Sequence, residues 1–551
     1  MNRNIIKISL LLILPFVFTS CDSKTPKQNN RIVIGISADV QTFNPLFTIS
    51  VDEGAITELL YLGLFDFRWN EDDGAIDAHS MLAEKWEWAD VSSSIKIYLR
   101  ADAFWSDGKQ ITVNDVIFSF DAYSDPLVQS RLYGTFKNLF VDEENHIDVK
   151  ETFEIISPFE FKVKFPSNSV PNLDVISLPI IPTHIFKDIK RDELSNSEYN
   201  FKPVSSGSYY LKKWDKNQTI TLAANKNSFL YDNAQINEIV FKVVPDYSSK
   251  ILQLQKGEID LLELVKVDDI EEIESNGDLK IVSVIGREYD YVGLNNIDPK
   301  AYLDGEIVPN KLFGSKNVRK AISYAINRKE ILNEYLLGYG ELAATPVSSI
   351  FQIEFNDDVS PYDFNLTKAK SLLASEGWID FDQDGILEKG NDKFSFTLYY
   401  PSGIPLREFA SMVVRNNLKA VGVDVKLEIV ELGTLIDYLF EKKIDAWMLG
   451  WYVPIPVELK PYWYSEFDST PLNFASYRNV KVDSLLDLLQ TKISVSKRIE
   501  TIKEFQKIVH DDEPVSFLYW IPNICVYNKR IAEINITPLG TVNHCWEWRL
   551  K

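Results

Sequence analysis

The sequence predicts an α/β protein of two or three domains. Helical stripes alternate with period-two strands through its middle and C-terminal parts, and no short repeat recurs. Its 551 residues are enough to bury more than one core. Composition fits a globular chain, with 45% hydrophobic and 25% charged residues. Aromatics at 13% can serve several cores or a stacking surface. The formal charge of −22 argues against nucleic acid, whose phosphates need a basic face, and against an anionic bilayer.

An address precedes the folded body. Arg3 and Lys7 form a basic stretch, followed by an apolar run from Ile8 to Phe18 that is too short to span a bilayer. Residues 1–20 therefore read as a signal peptide. The string Phe18-Thr19-Ser20-Cys21 resembles the bacterial lipobox, which implies cleavage before Cys21 and lipidation of that cysteine. Phe18 stands where Leu is usual, and an ordinary signal peptide with a chance cysteine is the alternative. Residues 21–30 follow as a polar, lipidated tether. No later stretch is long and apolar enough to cross a membrane. Cys525 and Cys545 either pair in an oxidising compartment or stay as buried thiols.

The folded body opens with an alternating strand, Arg31 to Ser37, and a loop, Asp39 to Pro45. A helix is expected over Glu53 to Leu64, ending near Gly63. Ile95, Ile97 and Leu99 share one face of a strand, and Asp107-Gly108 signals a turn. Thr112 with Asp115 three residues on forms a capping arrangement that opens a helix from Val113 to Tyr123. Phe159, Phe161, Val163 and Phe165 alternate as a half-buried strand. Ile251, Leu252 and Leu254 lie on one helix face that Gly257 closes. Val318, Ala321, Ile322, Ala325 and Ile326 make a helical stripe. Asn365 caps a helix that ends at Gly377, and Ser496 caps another from Lys497 to His510, with Pro514 beyond its end. Phe394 to Tyr400 and Val423 to Ile429 read as strands between them.

One stretch invites a functional reading. Ile444 to Ser465 starts with an apolar run, Ala446 to Leu449, that is broken at Gly450. Trp451, Tyr452, two prolines and the cluster Tyr462, Trp463, Tyr464 follow. A buried strand ending in a rigid aromatic loop can line a pocket, since aromatic rings supply contact area at low entropy cost. Core packing is the alternative.

The order of several short strings resembles the peptide/nickel family of bacterial extracellular solute-binding proteins. They are Leu82-Ala83-Glu84 with Trp86, Trp105-Ser106-Asp107-Gly108 followed by Thr112 and Asp115, and Pro182 to Phe186. Ser206-Gly207-Ser208-Tyr209, Gly257 to Asp260, Asn317 to Arg328, Ala369 to Trp378, Tyr477 with Asn479 and Asp483, and Pro514 to Tyr519 follow. The resemblance implies a two-lobed, class II-like periplasmic-binding-protein clamshell with an extra subdomain inserted in lobe I. Lobe I would combine residues 31–66, 203–288 and 521–551, the insert would be 67–202, and lobe II 289–520. The chain would cross between lobes near Tyr289 to Asn295 and Trp520 to Ile524.

It further implies a monomeric, non-enzymatic lipoprotein of the periplasm or cell envelope that closes on a peptide or other small solute and delivers it to an ABC permease in the inner membrane. Ligand contacts are expected from Gln41, Thr42 and Phe43, from Trp451 and Tyr452, and from Asn473, Tyr519 and Trp520. Peptide binders of this family typically carry an Asp three residues after the Trp, to pair with the ligand's α-ammonium. Here that position is Pro454, so either another acid serves or the ligand is not held by a free N-terminus. Asp445 is the nearest upstream acid.

Other chemistries find little footing. Asp380, Asp382, Asp384 and Gly385 match the front of a calcium loop, but Asn391 stands where an EF-hand needs a bidentate Glu, and a solvated turn is the preferred reading. The five histidines show no ligand spacing, and no phosphate loop or nucleophile elbow occurs. No cofactor is expected. A ligand-sensing lipoprotein that signals to a membrane receptor, or a secreted glycoside hydrolase using two of the many carboxylates, are the alternative functions.

Overall fold

A computed structural model describes residues 30–551, apart from 49, 90–92, 168, 234, 468–469 and 543. Cys21, the signal peptide and most of the tether lie outside the described residues. Among those residues the architecture is mixed α/β, built on one eleven-stranded sheet. Its strands are β1 (Arg31–Ile36), β2 (Tyr209–Asp215), β3 (Thr219–Ala224), β4 (Glu238–Val243), β5 (Leu261–Leu262), β6 (Leu279–Leu294), β7 (Glu341–Leu342), β8 (Ser395–Pro401), β9 (Asp424–Val430), β10 (Ala446–Tyr452) and β11 (Val515–Asn528). They lie in the order β9-β8-β10-β6-β11-β5-β1-β4-β3-β2, with β7 paired to β11.

Two long strands join the halves of this sheet. β6 and β11 run antiparallel from Leu279↔Asn528 to Gly293↔Val515, with an irregularity between Ile285 and Tyr289. Before the irregularity, β11 continues towards β5 and β1. After it, β6 also takes β10 on its other edge, from Glu288↔Tyr452 to Leu294↔Ala446. Gly286 sits at the irregularity because the strands approach closely there: a Cβ would stand 2.4 Å from the Ile521 carbonyl oxygen.

Each half is covered on both faces. In β10, Ala446 and Met448 join the core under the helices Lys316–Ala325 and Pro405–Lys419, while Trp447 and Leu449 join the aromatic core beneath helix Val495–Asp512. That is why Ala446 to Leu449 reads as a continuous apolar run rather than an alternating one. A separate four-stranded antiparallel sheet, Ala83–Trp88, Ser94–Leu99, Glu160–Lys164 and Phe153–Ser157 in that order, packs helix Val113–Ser124 through Phe120 against Phe153. Its core is continuous with that of β1, β3 and β4.

Local signals held where the side chain acts on its own backbone. The Thr112–Asp115 capping box forms, as does one between Ser50 and Glu53. Asn365 accepts from Lys368 N–H to cap helix Leu366–Ser375. The differences have specific causes. The first helix is Val51–Leu60, ending where Tyr61 turns extended, so Gly63 is not its terminator. Ser494, not Ser496, accepts from Lys497 N–H and opens helix Val495–Asp512. Leu252 is half exposed, off the face that buries Ile251 and Leu254. Cys525 and Cys545 are buried free thiols.

Gly450 does not break its strand; β10 runs through to Tyr452. Opposite it in register is Asp290, fully buried, whose Oδ1 accepts from Arg407 Nε at 2.9 Å and Nη2 at 2.7 Å. Arg407 Nη2 also reaches Glu288 Oε1 at 2.9 Å, and the Tyr519 hydroxyl donates to Asp290 Oδ2 at 3.2 Å. A Cβ on residue 450 would stand 2.4 Å from the guanidinium and 2.5 Å from the carboxylate. The glycine is the space the ion pair needs. Burial alone would lower the Arg407 pKa, but the Asp290 and Glu288 carboxylates outweigh it and hold it above the ordinary value.

Glu513, buried just before β11, has its carboxylate at the Ser323 hydroxyl. Burial pushes its pKa up to about 8, against the pull of Ser323, Arg328 and Arg319.

Two outcomes follow from these buried charges. Arg407→Met should destabilise the protein by about 3–5 kcal/mol in urea unfolding, because the buried Asp290 loses its counter-charge, and adding Asp290→Asn should recover much of the loss. Glu513 keeps its proton in the fold and loses it when unfolded above about 4.5, so its contribution is full at acid pH and fades as pH rises through 8. Glu513→Gln should therefore gain on wild type by on the order of 1–3 kcal/mol between pH 5 and pH 8, measured by urea unfolding at both.

Candidate functional site

The end of β10 carries the aromatic surface. Strand register to Glu288 and Tyr289 on β6 brings Trp451 and Tyr452 out beside the irregularity where the halves of the sheet meet. Trp451 is half-buried. Its ring stacks on Phe474 at 5.3 Å and meets Tyr462 edge-on at 4.8 Å. Behind it, Trp463 from the short helix Lys460–Trp463 packs on Phe517 of β11. Tyr452 is 55% exposed. The Arg287 guanidinium lies over its ring at 4.3 Å and bonds its hydroxyl. Arg287 Nε is buried without a hydrogen-bond partner, and burial lowers this arginine's pKa, with Tyr452 opposing.

A narrow crevice of about 10 Å³, room for no more than one water, runs between these rings, lined by Tyr289, Pro346, Trp451, Tyr452, Pro454, Glu458 and Tyr462 among others. Glu458 is its acid. The carboxylate is half-buried and accepts from Lys460 N–H at 3.1 Å and Gln490 Nε2 at 3.2 Å. Burial first, then the Glu458 charge, raises the pKa of the Tyr462 hydroxyl. The crevice thus offers stacking faces and an anion in Glu458, while the Arg287 cation lies against Tyr452.

The other candidate residues are placed as follows. Tyr519 and Trp520 lie on β11 beside the same crossing. Tyr519 is fully buried on Asp290, and Trp520 is buried against Tyr289 at 4.9 Å. Asn473 is buried, its amide donating to the Tyr464 and Tyr477 carbonyls and its oxygen accepting from Tyr477 N–H. Gln41 is exposed, its backbone N–H bonded to Glu53. Thr42 and Phe43 are buried, with Phe43 edge-on to Trp214 at 5.2 Å and its N–H on Asn200. The contacts of residues 41–43 thus run to Glu53, Asn200 and Trp214. Asp445 accepts from Asn310 Nδ2 at 2.7 Å, and burial raises its pKa against that bond.

Glu458 and Arg287 escaped the sequence reading. Glu458 is only four residues past Pro454, but nothing in the string tells which way it faces across a loop. Arg287 lies 164 positions before Trp451 and meets Tyr452 only through the β6–β10 pairing.

Comparison with known proteins agrees with the architecture. Residues 77–471 match the model of "Bacterial extracellular solute-binding proteins, family 5 Middle". The oligopeptide-binding protein AppA of Bacillus subtilis (strain 168) is 29% identical, over 98% of this chain and 98% of its own. The structure of AppA in complex with a nonapeptide superposes with a TM-score of 0.70 at 26% identity, covering 95% of this chain and 99% of that one. NikZ from Campylobacter jejuni, in complex with Ni(L-His), has the same fold at a TM-score of 0.72 and 24% identity, covering 95% and 99%. The fold is the two-lobed clamshell of these proteins. With its matched span covering most of the sequence, the chain belongs to the family 5 bacterial extracellular solute-binding proteins.

Proposed function

We propose that this protein is an extracytoplasmic lipoprotein, held to a membrane through Cys21, that captures a peptide or other small solute between its lobes and passes it as a monomer to an ABC permease of the inner membrane. Lobe I comprises 31–66, 203–288 and 521–551, the insert 67–202, and lobe II 289–520. The observation that carries the reading is the aromatic crevice of Trp451 and Tyr452 beside the crossing of β6 and β11. The crevice is lined from lobe II beside the seam, so a solute seated there favours the closed arrangement through the contacts that lobe I adds on closing. No helix of the described residues is long and apolar enough to cross a membrane, which fits attachment by a lipid.

Within this reading Trp451 and Tyr452 stack on the solute and Gln41 meets it from lobe I. Thr42, Phe43, Asn473, Tyr519 and Trp520 shape the walls, their own polar groups being tied largely to the protein. Glu458 takes the part of the acid missing at Pro454. An α-ammonium in a half-dry crevice needs such a counter-charge, and Arg287 can meet a carboxylate. Both groups favour an amino-acid-derived ligand, in keeping with the oligopeptide for which AppA is named.

Native mass spectrometry of the purified protein should show a retained peptide. A co-purifying solute with neither amine nor carboxylate would overturn the assignment. Trp451→Ala should weaken that ligand by more than about 1 kcal/mol in calorimetry while the fold stays intact, and unchanged affinity would assign Trp451 to the core alone. Glu458→Gln should cost a peptide with a free N-terminus roughly tenfold in affinity and leave its N-acetylated form unaffected. Equal losses for both would remove Glu458 from ammonium recognition.

A further inference from the structure

The turn after helix Leu366–Ser375 gathers four carboxylates far along the chain from the aromatic crevice. Asp380, Asp382, Asp384 and Glu388 each present one oxygen within 4.8 Å of the others'. The loop uses one oxygen of each residue to hold itself. Asp380 Oδ2 accepts from Gly385 N–H, Asp382 Oδ1 from Asp384 N–H, Asp384 Oδ1 from Ile386 N–H and Glu388 Oε2 from Phe381 N–H, at 2.9–3.1 Å. A backbone bridge between Ile379 and Glu388 closes the turn. Four oxygens remain, one per carboxylate.

Two of those four are out of water and without a hydrogen bond. Asp380 Oδ1 is buried and unpartnered. Glu388 is 8% exposed, and its Oε1 likewise has no hydrogen-bond partner. The nearest cation is the ammonium of Lys393, which pairs with Asp384, stands 3.4 Å from Asp382 Oδ2 and 3.6 Å from Glu388 Oε1. One ammonium cannot neutralise four carboxylates, and a buried carboxylate oxygen with no donor is costly. Lys393 is itself nearly half exposed on the edge strand Asp392–Lys393, so its side chain is free to swing into water.

We propose that Asp380, Asp382, Asp384 and Glu388 form a calcium site, in which the ion takes the place of the Lys393 ammonium. The donor set is all oxygen, with no His or Cys, as a hard cation requires. Calcium binds oxygens at about 2.3–2.6 Å, so ligands on opposite sides stand up to about 5 Å apart. Oxygens that lie within 4.8 Å of one another fit inside that shell. Asn391 at the twelfth position argued against a calcium loop in the sequence, because an EF-hand takes its bidentate carboxylate there. In the fold Glu388, at the ninth position, supplies the buried fourth carboxylate instead. The site lies between helix Leu366–Ser375 and β8, where an ion would fasten a turn of the second half of the sheet, and it does not depend on what the crevice binds.

The test uses the full chain freed of metal by EGTA. Titration calorimetry with calcium chloride should show one saturable site, of about 0.1–1 mM affinity or tighter, together with a rise in Tm that magnesium at the same concentration does not give. The double variant Asp382→Asn/Asp384→Asn should lose at least tenfold in affinity. Lys393→Met, which removes the competing ammonium, should bind calcium several-fold tighter. Absence of saturable heat and of a Tm rise in the wild type would overturn the proposal. Undiminished binding in the double variant would also overturn it, because the heat would then come from the acidic surface at large. If the double variant fails to fold, Lys393→Met decides alone: tighter binding supports displacement of the ammonium, and unchanged or weaker binding refutes it.

Discussion

The antiparallel pairing of Leu279–Leu294 with Val515–Asn528 is the constraint on which the rest of the molecule depends. It is the seam between the halves of the main sheet, and it is held at its middle by a buried charge. Asp290 has no exposed surface and would be expensive to bury alone. Arg407, arriving from helix Pro405–Lys419, and Tyr519, from the partner strand, supply its bonds, and Gly450 leaves the room for them. The register that puts Gly450 opposite Asp290 is the same register that delivers Trp451 and Tyr452 to the crevice. A slip by one residue would exchange the two faces of β10, taking the ion pair and the stacking surface with it.

The seam also explains why ligand chemistry collects where it does. The irregularity between Ile285 and Tyr289 frees Arg287 and Glu288 from regular pairing with β11. Arg287 then lies on Tyr452, and Glu288 on Arg407. A break in a ladder turns side chains away from the alternation that a regular strand imposes. Charged and aromatic groups thereby reach one crevice from strands that are distant in sequence.

The family strings do other work. Ser106 N–H donates to the Ser205 carbonyl, and its hydroxyl accepts from Ser205 N–H, so the Trp105–Gly108 turn is tied to the segment leading into β2. His184 meets Asp107 at 2.8 Å. Ser206 accepts from Leu62 N–H, and Gly207 passes so close to Leu59 that a Cβ would stand 2.0 Å from its carbonyl oxygen. The Ser106–Ser205 bonds tie the insert to the segment before β2, while Ser206 and Gly207 lock that segment onto the end of helix Val51–Leu60. They mark the fold and say little about the solute, which is why a chain-long resemblance can coexist with Pro454 in place of an expected acid.

Much of the local structure was legible in the sequence. Capping side chains act on their own helix, so Thr112 with Asp115 and Asn365 could be read directly, and the stripe Val318 to Ile326 follows from helical periodicity alone. So did the fold class, through the alternation of helices and strands and the order of the family strings. What the sequence could not decide depends on residues brought together across the chain. Gly450 reads only as a break in an apolar run until Asp290 and Arg407 meet over it. Glu458 reads as one loop acid among many until the loop folds against Tyr289 and Trp451. Glu388 stands outside the expected calcium spacing until a backbone bridge returns it to Asp380. Local hydrogen bonding and periodicity are properties of a short segment and survive in the string, whereas the direction a side chain faces, and what charge awaits it there, exist only once distant strands have paired.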